Sequence, residues 1–498
     1  WLKLLRCNCT IAGFIRSIRC APPPSLVMWT GSEKPKGTPC QAVTAATLGC
    51  AIGIAGVALF APVAKHLKKV LDLSTSQESF LIAIPSLSAS LLRVPFGAAV
   101  DQNGGKTLVL FLLGMAMIGL VGLCVLLNHT DEELQHLSGV YPMLIFCGVL
   151  TGCGGAIFSV GAGQSAYWHP PEKQGKVLGL YGGIGNLPPG LVALGLPFAV
   201  HALGMLKTYM LWLSLLVLGT TIYYCFGQNA WYFQLRQQGA TPQEAEQVAR
   251  EMYGQQMFPK GSAVQSLKMA ACNIKTWALI SLYFVNYGGY LALTTWLPTF
   301  WMEYHGFADT KAGLLTAVYS EGCCLTRAFL GGPLADRVGG ERALLFAFPV
   351  VGLGALLMLC TKGPLFHVLA SVVMAVSMGI CAGSIFKLVP IYVPEALGGA
   401  AGWVGGLGAF GAFAMPPILA SFVTSQGKAG YTSGFIVYVG LAATGWAIVM
   451  LLKLGKRLQQ EEEDSSEDSS SDSKDSEEKD SSDYSSNESE GYEDSARR

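Results

Sequence analysis

The chain has 498 residues, of which 51% are hydrophobic and only 13% are charged, and its mean hydropathy is +0.42. This balance excludes an ordinary soluble globular protein of this size and predicts an all-α polytopic membrane protein. The formal net charge of zero conceals an asymmetry, because residues 461–498 hold 16 acidic and 4 basic side chains while the first 460 hold 29 basic and 17 acidic ones.

The amino-terminal segment, residues 1–43, has no regular apolar period, and we expect it to be disordered. Its Cys7 and Cys9 lack the paired His or Cys spacing of a zinc site. Most of the 14 cysteines lie in apolar stretches, which indicates packing residues or free thiols. The sequence therefore predicts neither a metal site nor another cofactor.

Apolar stretches of about 20 residues, the length that spans a hydrocarbon core of roughly 30 Å, recur along the chain. They predict twelve transmembrane helices, at 44–64, 80–100, 106–127, 140–165, 175–200, 208–226, 274–300, 311–335, 342–360, 365–390, 399–423 and 432–453. We therefore expect a first six-helix bundle at 44–226, a central cytoplasmic loop at 227–273 and a second bundle at 274–458. The Ser/Asp/Glu tail at 459–498 cannot bury enough apolar surface to fold and is predicted to be disordered.

Basic residues follow the second, fourth, sixth, eighth and twelfth predicted helices, which indicates that both termini are cytoplasmic. The segment around Asn128 has no basic residue and carries a glycosylation sequon, as an outside loop would. Lys65, Lys68 and Lys69 break the rule, either because they gather anions or because they mark a snorkelling helix end. The serine-rich tail is either a solvated segment or the substrate of an acidophilic kinase.

The two halves of the chain repeat a motif. Gly97 and Asp101 of the first copy match Gly332 and Asp336 of the second copy, and both pairs are related by the same displacement along the chain. Internal symmetry around a central loop is typical of secondary transporters that bind their substrate between the halves. The glycines allow close helix approach, and each aspartate can pair with basic groups of the neighbouring bundle.

Arg93 and Arg327 lie inside apolar stretches, each a little more than two helical turns before the aspartate of its motif copy, which places both near the bilayer midplane. A guanidinium cannot be neutralised there and needs a cavity, a partner or a ligand. Glu321 is the evident candidate partner, but its spacing from Arg327 along the helix points the two side chains to different faces. Two matching arginines predict an anion site, in which Glu321 either carries a coupling proton or contacts another buried polar group.

Several motifs carry a resemblance over residues 44–453. The Gly-x-x-x-Asp-x-x-Gly-Gly repeat resembles the major facilitator superfamily, and four further segments resemble its nitrate/nitrite porter family: AIPSLSASLLRVPFG at 83–97, WHPPEKQGKVLGLYGGIGN at 168–186, FKLVP at 386–390 and GWVGGLGAFGAFAMPP at 402–417. The resemblance implies the major facilitator fold of two pseudo-symmetric six-helix bundles. It also implies nitrate or nitrite transport, in which Arg93 and Arg327 hold the anion and the bundles rock about it.

The resemblance implies further site residues. The expected substrate-binding set is Arg93, Arg327, Asn186, Tyr283, Gly185, Gly408, Phe158 and Tyr287, and the expected gating set is Gly97, Asp101, Gly332, Asp336 and Arg337. Asp101-Gln102 replaces the usual Asp-Arg of the first gating copy, which predicts a weaker latch there. Most of the glycines, though not Gly185 and Gly408, and the aromatic residues are also open to a packing role.

Pro188 and Pro189 replace the glycines that usually follow the family asparagine, and they should kink helix five. Because this change reshapes the pocket, a small anion such as a monocarboxylate is an alternative cargo, and an anion sensor with little transport is an alternative function. Nucleophiles, metal clusters and phosphate loops are missing from the sequence pattern, so we expect no enzyme and no nucleic-acid partner. We expect a monomer in a lipid bilayer, with the plasma membrane as its location.

Overall fold

The computed structural model describes residues 34–60 and 64–455. The described residues up to 446 belong to one compact unit, and residues 447–455 belong to a second one. Within the described ranges the regular structure is helical, and no strand occurs there. The tail at 459–498 and residues 1–33 of the amino-terminal segment 1–43, all predicted to be disordered, lie outside the described residues. The prediction is wrong for residues 39–43, because Thr38 caps a helix that begins at Pro39.

Six long helical runs make up the first half of the chain. They are α1 (Pro39–Ala58), α2 (Thr75–Asn103), α3 (Lys106–Leu126), α4 (Val140–Tyr167), α5 (Gln174–Ile184, continued by Pro188–Leu203) and α6 (Met205–Phe226). The interruption of α5 directly before Pro188 and Pro189 confirms the predicted kink, because a proline has no N–H for the preceding turn.

Six more long runs follow. They are α7 (274–304), α8 (309–338), α9 (Gly340–Cys360), α10 (Pro364–Tyr392), α11 (Leu397–Ala409, continued by Gly411–Gln426) and α12 (Ile436–Gly455). Shorter helices lie between the long runs, at Ala64–Leu71, Asp131–His136, Trp231–Gln237, Pro242–Tyr253 and Ala263–Cys272, with single turns at Pro171–Lys173, Gly427–Ala429 and Gly430–Ser433. Three of these helices lie in the predicted central loop.

Ten helices in the described part of the chain are long and apolar enough to cross a membrane. They coincide with ten of the twelve predicted spans. The other two predicted spans, 274–300 and 311–335, are helical as α7 and α8 but fall outside this set of ten. Polar residues such as Asn286, Glu321 and Arg327 lie within these two runs. The prediction of twelve crossings therefore rests on the sequence for α7 and α8.

Local sequence explains where the helices around the repeated motif begin and end. Ser74 accepts a hydrogen bond from the N–H of Gln77, whose side chain in turn accepts from the N–H of Ser74, so a capping box starts α2. Gly104 ends α2 with φ 72°, and Gly339 ends α8 with φ 90°. Glycine is the residue that adopts such positive φ values without a steric cost, so both motif copies end their helices in the same way.

Small residues bring helices of the two halves into backbone contact. A Cβ on Gly97 of α2 would lie 2.6 Å from Cα of Gly402 in α11. In the second copy, a Cβ on Gly332 of α8 would lie 3.1 Å from Cα of Gly179 in α5. Side chains at these positions would force the helices apart. The two contacts fix α2 against α11 and α5 against α8, and thereby position Arg93 and Arg327.

Candidate functional site

Arg93 is buried at the centre of α2, with 2% of its surface exposed. Its Nε donates a hydrogen bond to the carbonyl oxygen of Gly155 in α4 (3.1 Å), and its Nη1 donates to that of Gly405 in α11 (3.0 Å). Among the described residues, no carboxylate lies within ion-pair distance of this guanidinium. Backbone carbonyls therefore orient Arg93 without neutralising its charge.

Arg327 is equally buried, with 3% exposed, and begins a π-helical turn at Arg327–Gly331. Its Nη1 lies 3.4 Å from the hydroxyl of Tyr283, whereas its Nε and Nη2 have no hydrogen-bond partner. A buried charged donor without an acceptor costs several kcal/mol unless a ligand or water supplies one. Two N–H donors of this arginine are thus available to a ligand or to water.

One aromatic ring connects the two arginines. The guanidinium carbon of Arg93 lies 4.9 Å from the ring centroid of Phe158, and that of Arg327 lies 5.3 Å from the same centroid. Two stacked rings, Tyr283 and Tyr287, lie beside Phe158 with centroids 4.6 Å apart. Aromatic faces attract cations but accept no hydrogen bonds as strong as those of a carboxylate. The cluster therefore holds both guanidinium groups together while leaving their charge available.

A small cavity beside Arg327 has a volume of about 10 Å³, room for about one water molecule. Its polar lining comes from Asn186 of α5, Asn286, Tyr287 and Tyr290 of α7, and Arg327 of α8, together with Cys323 and Cys324. The hydroxyl of Tyr287 donates to Oδ1 of Asn186 over 2.7 Å, and Nδ2 of Asn186 donates to the carbonyl oxygen of Gly182 over 2.5 Å. Asn186 is thus held by neighbours on both sides of its amide.

Three glycines shape this centre by their lack of a side chain. A Cβ on Gly182 would collide with the guanidinium of Arg327, one on Gly408 would lie 2.6 Å from the ring of Tyr283, and one on Gly185 would lie 2.6 Å from the carbonyl oxygen of Tyr181. A Cβ on Gly185 would also lie 3.0 Å from Sγ of Cys50 in α1, so Gly185 packs against another helix and Gly408 packs against a side chain of the site.

The aspartate of the first motif copy caps a helix of the other half. Asp101 is 2% exposed and accepts hydrogen bonds from the N–H of Gly398 (2.8 Å) and Gly399 (3.2 Å), at the beginning of α11. It also accepts from the hydroxyls of Tyr167 (2.6 Å) and Ser266. The prediction that this aspartate pairs with basic groups is wrong, because a helix N-terminus supplies the positive partial charge instead.

The second copy adds a lysine. Asp336 accepts from the N–H of Gly175 (2.9 Å) and Lys176 (2.6 Å), at the beginning of α5, and forms an ion pair with Lys387 over 2.8 Å. Lys387 also donates to the carbonyl oxygen of Pro171 over 2.6 Å. Arg337, which was expected in the gate, is exposed. At the end of the helix that carries it, each of the two aspartates, Asp101 and Asp336, therefore joins the two halves.

Glu321 lies near the cavity without lining it. Both carboxyl oxygens are buried and have no hydrogen-bond partner, and a Cβ on Gly190 of α5 would touch Oε1. As the helix geometry predicts, Glu321 and Arg327 form no ion pair in the described structure. The carboxyl group is therefore placed between α8 and α5 and is not the counter-ion of the site.

Sequence reasoning missed several residues of this centre. Lys387 lies within the quoted FKLVP motif but received no role, and Phe386 of the same motif has its ring centroid 5.0 Å from that of Tyr283. Asn286 and Tyr290 were also missed. A buried amide between two tyrosines of an apolar helix was the available signal for Asn286. The described residues contain no group of three or more His, Cys, Asp or Glu side chains that could hold a metal ion.

A family model described as Major Facilitator Superfamily matches residues 46–416 and 279–481. The "Nitrite extrusion protein" of Bacillus subtilis (strain 168) is 28% identical over 397 residues, which cover 80% of this chain and 90% of that protein. The "Probable nitrate/nitrite antiporter NarK1" of Thermus thermophilus is 27% identical over 459 residues, covering 86% and 95%. These relatives confirm the resemblance to the nitrate/nitrite porters.

Solved structures agree on the fold. The proton:xylose symporter XylE matches with a TM-score of 0.67 at 14% identity, covering 83% of this chain and 95% of that chain. The human organic anion transporter MFSD10 (TETRAN) matches with a TM-score of 0.58 at 14% identity, covering 83% and 100%. At this identity the likeness concerns the helical architecture alone.

Proposed function

Because the chain belongs to the major facilitator superfamily, we propose that it moves nitrate, nitrite or both across a membrane by alternating access, with the anion held between Arg93 and Arg327. The chain is a multi-pass membrane transporter and not an enzyme. The names of its relatives support nitrate and nitrite as the cargo. The observation that carries the proposal is the pair of buried guanidinium groups over the ring of Phe158, neither of which forms an ion pair with a carboxylate of the described residues.

The chemistry of the site supports a planar anion. A guanidinium donates two parallel hydrogen bonds in one plane, which suits two oxygens of nitrate or nitrite better than the point charge of a lysine does. Nε and Nη2 of Arg327 are both without a partner beside the cavity. We therefore propose that these two donors bind the anion, while Arg93, held by Gly155 and Gly405, supplies the opposing charge.

The aspartate caps support a closed gate on one side of the site. Opening this side would separate Asp101 from the beginning of α11 and Asp336 from the beginning of α5. We propose that anion binding between the halves lowers the cost of this rearrangement, since a ligand shifts a conformational equilibrium only when it binds one state better. In the proposed orientation, with both termini cytoplasmic, the gate faces the cytoplasm and the transporter lies in the plasma membrane as a monomer.

We propose exchange as the coupling mode, because two permanent charges remain in the centre when the anion leaves and resist closure of the empty site. Glu321 is the candidate proton carrier in the competing mode of proton symport. Its unpartnered carboxyl group is the observation in favour of that mode. A Glu321→Gln variant that exchanges at the wild-type rate and keeps its pH dependence would remove Glu321 from the coupling.

Flux in proteoliposomes tests the function. Vesicles loaded with nitrite should accumulate isotopically labelled nitrate, and empty vesicles should not, with or without an imposed pH gradient. Formate and acetate should be poor substitutes for either anion. Uptake of a carboxylate without any nitrate uptake would identify a different cargo, and nitrate binding without flux would identify a sensor.

A further inference from the structure

The cavity beside Arg327 contains an acceptor that nitrate cannot satisfy. Asn286 lines this cavity and is 2% exposed. Its Nδ2 donates to the carbonyl oxygen of Met378 over 3.1 Å, which fixes the orientation of the amide, because the reverse orientation would place two oxygens against each other. Its Oδ1 is buried and has no partner among the described residues. The site thus combines unpartnered donors with an unpartnered acceptor.

Nitrate and nitrite have only acceptor oxygens. Either anion can accept from Nε and Nη2 of Arg327, but neither can donate to Oδ1 of Asn286, which remains unsatisfied. An unsatisfied buried amide oxygen weakens binding by about 1–3 kcal/mol, or roughly 5- to 150-fold in affinity. A ligand that matches these unpartnered donors and this acceptor is a planar monoanion with three oxygens, one of which carries a proton.

We propose that the site also binds bicarbonate, with two oxygens on Arg327 and its hydroxyl donating to Oδ1 of Asn286. Bicarbonate has the trigonal shape and the single charge of nitrate, and adds the one hydrogen-bond donor that the cavity lacks. Formate has the same charge and a planar carboxylate but no hydroxyl, which makes it the natural comparison anion. The inference rests on the proposed anion site, and it extends the substrate class of that site.

Two structural features near Asn286 hold its amide oxygen in place at the cavity. The residue lies in the π-helical turn Phe284–Gly288, where an i to i+5 pattern widens α7 and turns side chains toward the centre. Tyr287 of the same turn is held by Asn186 on the facing helix. The amide therefore has little freedom to turn away toward another donor.

The first experiment uses the unaltered protein. Thermal unfolding in detergent is measured against bicarbonate and formate at matched ionic strength and mildly alkaline pH, in sealed solutions. Bicarbonate should raise the unfolding temperature at a lower concentration than formate, and should inhibit nitrate/nitrite exchange with a lower inhibition constant. If bicarbonate stabilises the protein or inhibits exchange no more strongly than formate does, the proposal is wrong, and water is the donor to Oδ1.

The second experiment changes the acceptor. In Asn286→Leu, the preference for bicarbonate over formate should fall about tenfold, the effect of one lost hydrogen bond to a buried group. Thr276→Val is the matched control, because Oγ1 of Thr276 is also buried and unpartnered in α7 but lies outside the cavity lining. It should keep the wild-type preference, and an unchanged preference in Asn286→Leu would contradict the inference.

The two readouts separate this inference from the proposed function. Absence of nitrate and nitrite flux in the unaltered protein would defeat the proposed function, while the thermal shift would still decide between bicarbonate and formate. Conversely, exchange of nitrate for nitrite with no selective response to bicarbonate would defeat the inference alone. If Asn286→Leu cannot be purified in folded form, the comparison of the two anions on the unaltered protein decides.

Discussion

The hydroxyl of Tyr287 donates a 2.7 Å hydrogen bond to Oδ1 of Asn186 and so joins α7 of the second half to α5 of the first half. Both residues line the cavity beside Arg327. The bond gives the cavity a contact that crosses between the halves at the depth of the arginines. Movement of one half against the other must therefore stretch or break the hydrogen bond to Asn186.

Loss of this bond should weaken anion binding. In Tyr287→Phe the buried oxygen of Asn186 loses its donor, which costs about 1–3 kcal/mol and frees the amide to move. We expect the half-saturating nitrate concentration of exchange to rise at least fivefold. Tyr438→Phe is the control, since it removes a comparable buried bond, to the carbonyl oxygen of Gly289, away from the cavity. Equal effects of both variants on nitrate affinity would refute a special role for Tyr287.

Replacing the arginines by lysine should abolish most of the exchange. Lysine keeps the charge but loses the planar pair of donors, so about 1.5–3 kcal/mol of charged hydrogen bonding disappears from each position. We expect Arg327→Lys to lower the ratio of exchange rate to half-saturating concentration by about tenfold or more, and the double variant with Arg93→Lys to be inactive. Arg250→Lys, at an exposed ion pair with Glu246, should exchange normally. Wild-type exchange in the double variant would rule out the two-arginine site.

A methyl group at Gly182 should displace Arg327. The Cβ would occupy the position of the guanidinium, so Gly182→Ala should reduce nitrate exchange strongly even though alanine favours a helix. Gly195→Ala, also in α5, meets no atom within 4 Å and should retain activity. Nitrate exchange in vesicles, normalised to the amount of inserted protein, distinguishes the two. Normal exchange by Gly182→Ala would mean that Arg327 has another position available.

The largely buried pair of Asp336 and Lys387 should couple strongly. Removing one partner leaves an uncompensated buried charge, which costs about 3–5 kcal/mol, whereas replacing both removes the charges together. Asp336→Asn and Lys387→Met should therefore each lower the unfolding temperature more than the double variant does. The matched pair Lys68 and Glu78, which is more exposed, should show a much smaller coupling. Additive effects of the two single variants would show that the pair contributes no coupling.

Acid should destabilise the protein through His169. Burial lowers the pKa of His169, which lies between α4 and α5, from about 6.5 to about 4. The unfolded chain therefore binds this proton at a higher pH than the folded protein does, so stability is intact above about pH 6.5 and falls as the pH drops toward 4. His169→Gln should flatten this fall in unfolding temperature, and His201→Gln, at an exposed position, should not. Identical pH profiles of all three proteins would disprove the contribution of His169.

The sequence was sufficient for the parts of the fold and site that depend on local pattern. Apolar length predicted the helices, and the repeated motif predicted the matching positions of Asp101 and Asp336. The partners of these aspartates could not be predicted, because they are backbone N–H groups of α11 and α5, distant in sequence and carried by every residue type except proline. Asn286 was missed for a related reason. Its importance comes from an atom left without a partner, which only the three-dimensional arrangement reveals.

Hydropathy does not identify α7 and α8 as membrane spans, and the reason lies in the polar residues of the site. Several residues that line the cavity, such as Asn286, Tyr287 and Arg327, are among those that lower the apolar character of these two runs. Polar residues that face a cavity make a helix look less like a membrane span although they never meet lipid. The two runs outside the apolar set are thus the ones with the most residues in the cavity.

The π-helical turn at Arg327–Gly331 explains an arithmetic mismatch between the two halves. The stretch from Arg327 to Asp336 is longer by a single residue than the stretch from Arg93 to Asp101. A π turn accommodates one residue more than an α turn, and it lies between Arg327 and Asp336. The π turn accommodates the extra residue as a local widening of α8, so the arginine and the aspartate keep corresponding places in both halves. One inserted residue in one copy of an ancestral duplication would produce this difference. The two halves therefore correspond in structure although the spacing of their motifs along the sequence differs by one residue.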